Sequence, residues 1–309
     1  MSSIIDVKGL TKVFKGLTAV DDLSFTVPRG EVYGFLGQNG AGKSTTIRML
    51  LTLIQPTSGT ISILDHTLPH HRSEILKQTG AIIEKPDLYK YLTALENLSI
   101  MARLSGIRLT KKELMVQLDR VGLAERAHSK VKTYSQGMKQ RLGIACALVH
   151  DPQLIILDEP TNGLDPQGIA DVRNLILSLS KTEGKTVFVS SHLLSEMEVI
   201  ADSMLIIDKG KKVAEGKRSD LLNPSDTVVL LETEDDEQTR TYLHTTQWSR
   251  YLQNKKEVVL KMHRSQVPAL NAALVQQGIK VYSLRAKHSL EDYFLSLTTA
   301  NQHVDAYPN

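Results

Sequence analysis

A chain of 309 residues, 41% of them apolar, has material for a substantial core and for two domains of ordinary size. Its net charge of +3 is small, and no basic run is interleaved with aromatics, which excludes a nucleic-acid partner from the expectation. No window approaches the roughly eighteen apolar residues of a membrane span, and Met1-Ser2-Ser3-Ile4-Ile5-Asp6-Val7 lacks a signal-peptide layout, so a soluble, cytosolic chain is expected.

The first apolar run, Val32-Tyr33-Gly34-Phe35-Leu36, reads as a buried strand. It opens into Gly37-Gln38-Asn39-Gly40-Ala41-Gly42-Lys43-Ser44-Thr45, a full match to the phosphate-loop pattern, and Ile47, Leu50, Leu51 and Ile54 continue it as a helix. Gly37, Gly40 and Gly42 let the backbone turn its N–H groups toward β- and γ-phosphates at the positive end of that helix. Lys43 adds a point charge and Ser44 a hydroxyl suited to Mg²⁺. His66, His70 and His71 are irregularly spaced beside Pro69 and read as an exposed loop, not a metal site. Thr93 and Glu96 form a capping box ahead of the stripe Leu95, Leu98, Met101 and Ala102.

Farther along, Tyr134-Ser135-Gln136-Gly137-Met138-Lys139-Gln140-Arg141 places Ser135 as an N-cap, with Leu142, Ala145 and Val149 giving its helix an apolar face. A helix start with a hydroxyl and a small Gly137 is a second anion site. Cys146 on this helix reads as a small buried hydrophobe, and one cysteine permits no internal disulfide. Leu154-Ile155-Ile156-Leu157 is a second buried strand that ends in Asp158 and Glu159, which places both carboxylates beside the phosphate loop. Their chemistry divides into a Mg²⁺ ligand, Asp158, and a general base for the attacking water, Glu159. Thr161-Asn162-Gly163-Leu164-Asp165 is a tight loop, and the strand Thr186-Val187-Phe188-Val189-Ser190 leads to His192.

Met204 to Val213 reads as a hairpin closing this unit, with a boundary near Leu221-Leu222-Asn223-Pro224-Ser225. Beyond it, strands are expected at Thr227 to Leu231, Glu257 to Met262 and Lys280 to Leu284. Helices are expected around Gln266 to Gln276 and Leu290 to Leu297, the last opened by a capping box at Ser289. The acidic cluster Glu232 to Glu237 reads as a solvated turn. No repeat or low-complexity tract occurs.

These motifs together resemble the nucleotide-binding subunit of ATP-binding-cassette (ABC) transporters. The resemblance implies an α/β P-loop core with a mostly parallel sheet, an antiparallel β subdomain and a helical subdomain at about 87–147. These make up residues 1–224, and 225–309 form a small α+β appendage. It implies ATP and Mg²⁺ as ligands, with Phe14 stacking on adenine and His192 contacting the γ-phosphate. Ser135, Gln136 and Gly137 would cap the ATP of a second ATP-binding subunit, and Asp165 would help to position that partner's water. It implies a separate integral-membrane permease, docked on the surface between Lys85 and Ala94, and a place at the cytoplasmic face of the membrane. One position departs from the pattern: Gly80-Ala81-Ile82-Ile83-Glu84-Lys85-Pro86 puts Glu84 where the family carries glutamine. A carboxylate can replace the amide oxygen as a ligand to Mg²⁺ or its water but has no N–H to donate. Glu84, with Leu88-Tyr89, Leu92 to Leu98 and the Ser289 to Leu295 tail, resembles the branch that includes bacitracin-resistance and lantibiotic-immunity ATPases. That branch makes peptide-antibiotic export the expectation, with drug, lipid or polysaccharide export as the alternative. A soluble ABC ATPase would carry two cassettes or a long coiled coil, and a P-loop kinase would lack the Ser135 motif.

Overall fold

The computed structural model describes residues 2–221, 227–253 and 257–287. The chain divides into two compact units, Met1–Lys217 and Arg218–Asn309. In chain order the first contains β1 (Ser3–Phe14), β2 (Leu17–Pro28), β3 (Val32–Leu36), α1 (Lys43–Leu50), β4 (Ser58–Ile63), β5 (His66–Thr67), α2 (Arg72–Lys77) and β6 (Thr79–Ile82). It continues through α3 (Ala94–Leu104), α4 (Lys111–Arg120), α5 (Gln136–Leu148), β7 (Leu154–Asp158), α6 (Pro166–Lys181), β8 (Thr186–Ser191), α7 (Leu194–Ile200), β9 (Ser203–Asp208) and β10 (Lys211–Lys217).

Two sheets organise this unit. The strands β2-β1-β4-β5 pair antiparallel, whereas β9-β3-β8-β7-β6 run parallel with β10 added antiparallel at one edge. Every residue of β3, β7 and β8 is buried, as expected of strands covered on both faces and written as continuous apolar runs. Phe25 of β2 packs on Tyr33, Phe35 and Phe188 with ring centroids about 6 Å apart, joining the two sheets in one core. Between β6 and β7 lie three helices whose starts are fixed by side chains. Thr93 and Glu96 form a capping box on α3, and Thr110 and Glu113 form a second on α4. In both boxes the threonine's hydrogen bonds hold the glutamate below the usual carboxylate range. Ser135 caps α5.

The second unit contains α8 (Arg218–Leu221), β11 (Thr227–Thr233), α9 (Asp236–Thr245), β12 (Val258–Met262), α10 (Val267–Gln276) and β13 (Val281–Lys287). Its strands pair antiparallel in the order β12-β11-β13 around a small core that includes Val229, Trp248, Leu260, Leu270 and Leu274. The acidic stretch Glu232 to Glu237 is not a plain turn. It closes β11 and then starts α9, with Asp235 accepting the N–H groups of Glu237 and Gln238 at 3.0 Å each. Acids at a helix N-terminus complement the positive end of the macrodipole, which is why this acidic cluster starts a helix. The helix expected over Leu290 to Leu297, the capping box at Ser289 and the boundary segment beyond Leu221 lie outside the described residues. Among the described residues no helix is long and apolar enough to cross a membrane.

Candidate active site

Strand order builds the site. β3, β8 and β7 are adjacent and parallel, so their C-terminal ends bring the phosphate loop, His192 and the Asp158–Glu159 pair to one edge of the sheet. Gly42 sits at φ +105° as the N-cap of α1, and a Cβ there would stand 2.6 Å from the Ala19 carbonyl oxygen. At Gly37 a Cβ would stand 2.6 Å from the Ile207 carbonyl oxygen. Both glycines are therefore required by the chain's own backbone, while Asn39 and Gly40 are exposed at the loop tip and Ala41 is buried beneath it. Lys43 opens α1 with only 5% of its surface exposed, and its Nζ donates to the carbonyls of Gly37 (2.7 Å) and Gln38 (3.2 Å). Ser44 and Thr45 follow in the first turn, both partly exposed.

The two acids differ in surroundings. Asp158 is 1% exposed; its Oδ1 accepts a short hydrogen bond from the Ser190 hydroxyl, and its Oδ2 is buried without a hydrogen-bond partner. Glu159 takes a left-handed backbone, φ +48°, that turns its side chain out of the strand, and its N–H donates to Ser190 Oγ at 3.0 Å. Its Oε1 is 3.3 Å from Lys43 Nζ, and its Oε2 is 3.1 Å from His192 Nδ1 and 3.2 Å from Asn162 Nδ2. A carboxylate bonded at Nδ1 fixes the proton on that nitrogen in the neutral ring and leaves Nε2 as an acceptor.

A cavity of about 580 Å³ adjoins these groups, lined among others by Ser44, Glu84, Gln136, Gln140, Asp158 and Glu159. An orphaned, fully buried carboxylate oxygen costs free energy unless something occupies its lone pairs. With the Ser44 hydroxyl on the same wall it offers the hard oxygen donors that a divalent cation takes, so the residues fit Mg²⁺. Glu84 lines the same cavity, also in a left-handed backbone (φ +60°), but its Oε1 is bonded to Arg48 Nη2 of α1 at 2.6 Å.

Phe14 is not core: it is 43% exposed at the end of β1, with Lys12 Nζ 4.9 Å from its ring centroid. Ser135 Oγ accepts the Met138 N–H at 3.2 Å and keeps its own proton for another acceptor. Gly137 is buried, yet a Cβ there would meet only Gly168 Cα at 3.6 Å, an ordinary contact. Asp165 is exposed and caps α6 by accepting the Gly168 N–H at 3.0 Å. The structure thus gathers Asn39, Ser44, Glu84, Gln136, Asp158 and Glu159 around one cavity, with Lys43 and His192 bonded to Glu159. Phe14, Ser135, Gly137 and Asp165 are not among the residues that line it. Sequence reasoning missed Ser190, Asn162, Gln140 and Arg48 as participants. Ser190 and Arg48 carry no motif signal of their own, whereas Gln140 lay within the stretch already singled out.

Comparison with known proteins gives this geometry its context. The family model described as ABC transporter matches residues 20–162. The chain is 43% identical to the bacitracin transport ATP-binding protein BcrA of Bacillus licheniformis, over 96% of this chain and 98% of that protein. It is 42% identical to the lantibiotic transport ATP-binding protein SrtF of Streptococcus pyogenes, over 69% of this chain and 90% of that protein. Among solved structures it resembles the dimeric post-hydrolysis state of an ATP-binding cassette with ADP and Pi bound. That match has a TM-score of 0.62 and 26% identity, and covers 69% of this chain and 98% of the other. The chain belongs to the ATP-binding, ATP-hydrolysing subunits of the ABC transporters.

Proposed function

We propose that this subunit drives export of peptide antibiotics, working as one of two ATP-binding subunits on the cytoplasmic face of a membrane permease. The observation that carries the hydrolytic part is the position of Glu159, held at 3.3 Å from Lys43 and 3.1 Å from His192. In this reading Lys43 and the loop amides from Gly37 to Thr45 hold the β- and γ-phosphates. Glu159 takes the proton of the attacking water while His192 keeps that carboxylate oriented through Nδ1; a ring that also donated to the terminal phosphate would have to carry a proton on Nε2 as well. Ser44 and Asp158 would hold Mg²⁺ and Glu84 would address its water shell; the cation would supply charge compensation to the phosphates. The Glu84–Arg48 pair is largely exposed and contributes under about 1 kcal/mol, so Glu84 can leave Arg48 at little cost. Phe14, aromatic and exposed, is the platform for adenine.

The second subunit enters through the start of α5. Ser135 and Gly137 present a hydroxyl proton and an uncrowded helix start that no group among the described residues is seen to use, and Asp165 is exposed near Gly168, which Gly137 approaches. We assign Ser135, Gln136 and Gly137 to a partner's nucleotide and Asp165 to the same interface. The permease has a place as well: an apolar groove of about 400 Å³ lined by Ile82, Pro86, Leu88, Met101, Cys146 and His150, among others, suits a short cytosolic helix. The peptide cargo is supported by likeness to BcrA along nearly the whole chain, second unit included.

The test is deletion of the gene followed by complementation with wild type and Glu159→Gln. Wild type, but not Glu159→Gln, is expected to restore resistance to bacitracin or a nisin-like peptide. Unchanged sensitivity of the deletion strain to both peptides, with altered sensitivity to a drug or a change in lipid export, would replace the cargo and leave the ATPase reading intact.

A further inference from the structure

The cavity beside Asp158 holds a second buried polar atom without a partner. Gln140 is 4% exposed on the second turn of α5, and its Nε2 has no hydrogen-bond acceptor. A buried amide N–H with no partner among the described residues is disfavoured, as is the orphaned acceptor Asp158 Oδ2. One is a donor and the other an acceptor, the residues that carry them both line one cavity, and 580 Å³ is ample for ordered water. The carboxylates on the wall, Glu84, Asp158 and Glu159, are acceptors only when ionised, and Asn162 Nδ2 is already engaged with Glu159. Gln140 is thus the enclosed amide that can still donate into this space.

We propose that Gln140 is a positioning residue for hydrolysis. Its Nε2 donates to a water in the nucleotide cavity whose own protons are directed to the Asp158 side, which ties α5 to the hydrolytic site of the same chain. The helix is well placed to transmit that tie. Its first turn bears Ser135 to Gly137, and at Gly143 a Cβ would stand 2.5 Å from Pro86, so α5 and the loop that carries Glu84 cannot shift independently. The state of the chain's own cavity would then be felt at the helix start offered to the partner's nucleotide. This inference rests on the hydrolytic reading above.

The experiment compares Gln140→Met, close in volume but without a donor, with wild type, Glu159→Gln and Gln140→Met combined with Glu84→Gln. Each is assembled with the permease and assayed for fluorescent-ATP affinity, kcat, KM and thermal midpoint. We expect Gln140→Met to fold, to bind nucleotide within about threefold of wild type, and to lose about tenfold in kcat, the scale of one lost hydrogen bond. An amide supplied from position 84 should recover part of that loss. The assignment is overturned if kcat stays within twofold of wild type, or if affinity falls together with kcat and Glu84→Gln restores neither. Should Gln140→Met not fold, Gln140→Glu, equal in shape, replaces it under the same criteria. Glu159→Gln keeps the two readings apart: if it turns over ATP at the wild-type rate the hydrolytic reading fails whatever Gln140 does. If it is inactive while Gln140→Met is normal, only Gln140 loses its role.

Discussion

The two helix starts of the first unit proposed to meet phosphate are built on opposite principles. At α1 the glycines are forced by the chain itself: Gly37 and Gly42 leave no space for a Cβ against the carbonyls of Ile207 and Ala19, and Lys43 is buried among carbonyl oxygens. At α5 the backbone is regular, Ser135 makes one ordinary cap, and a Cβ on Gly137 would meet Gly168 Cα at an ordinary 3.6 Å. A glycine that its own fold does not require is kept open for something outside the fold. The phosphate loop is built by one chain alone, and on the reading proposed above the start of α5 serves the nucleotide of a partner.

The sharpest way to test this contrast is to disable each half and ask what one chain can still do. Glu159→Gln removes the base proposed for the phosphate-loop site and should lower turnover by about 10² to 10⁴ while nucleotide still binds. A phosphate-release assay run beside equilibrium nucleotide binding separates the two. Gly42→Ala attacks the loop instead. With φ at +105° and backbone 2.6 Å from the new carbon, the loop must open, and nucleotide affinity of the isolated chain should fall by about tenfold to a hundredfold. If Gly42→Ala bound ATP normally, the claim that this loop is fixed by its own surroundings would be wrong.

At α5 the expected pattern reverses. Gly137→Glu puts a carboxylate at a helix start meant for phosphate, so turnover of the membrane-assembled pair should fall by about tenfold or more, while ATP binding by the isolated chain stays as it is. Gly137→Ala should be mild, within about threefold, because its Cβ makes only an ordinary contact. Equal loss of binding in the isolated chain for Gly42→Ala and Gly137→Glu would erase the distinction between the two helix starts.

The same contrast explains what the sequence discloses. The phosphate loop, the run ending in Asp158 and the Ser135 cap were legible because each is a local pattern: apolar strand, then turn, then helix. The partners of these groups were not. Ser190 lies 32 residues from Asp158, Arg48 lies 36 from Glu84, and His192 lies 33 from Glu159. Only the strand order β3-β8-β7-β6 brings such pairs together. Glu84 was read for its carboxylate chemistry alone, since nothing local announces that Arg48 holds it. In the second unit, α9 escaped because its few apolar residues form no stripe and its acids look like a turn until Asp235 is seen as a cap. The box of Thr110 and Glu113 was legible and was passed over beside the identical one at Thr93 and Glu96.

The smallest expected effect concerns Cys146, on the face of α5 turned to the groove and not to the nucleotide. Burial pushes its thiol up to about 12 from an ordinary 9.0, because the enclosed site disfavours thiolate. For an acid whose folded value is raised, the neutral form is the one the fold stabilises. That contribution is fully present below about pH 9 and is lost as pH climbs toward about 12. Between these limits wild type should lose about 1.4 kcal/mol of unfolding free energy per pH unit more than Cys146→Ala does, which urea titrations at pH 8.5 and 10 would resolve. At pH 8 the native thiol, half-buried on the groove wall and held protonated, should react only slowly with iodoacetamide. If a docked permease fills the groove, alkylation should slow further, so the same cysteine reports occupancy of that face without touching either helix start.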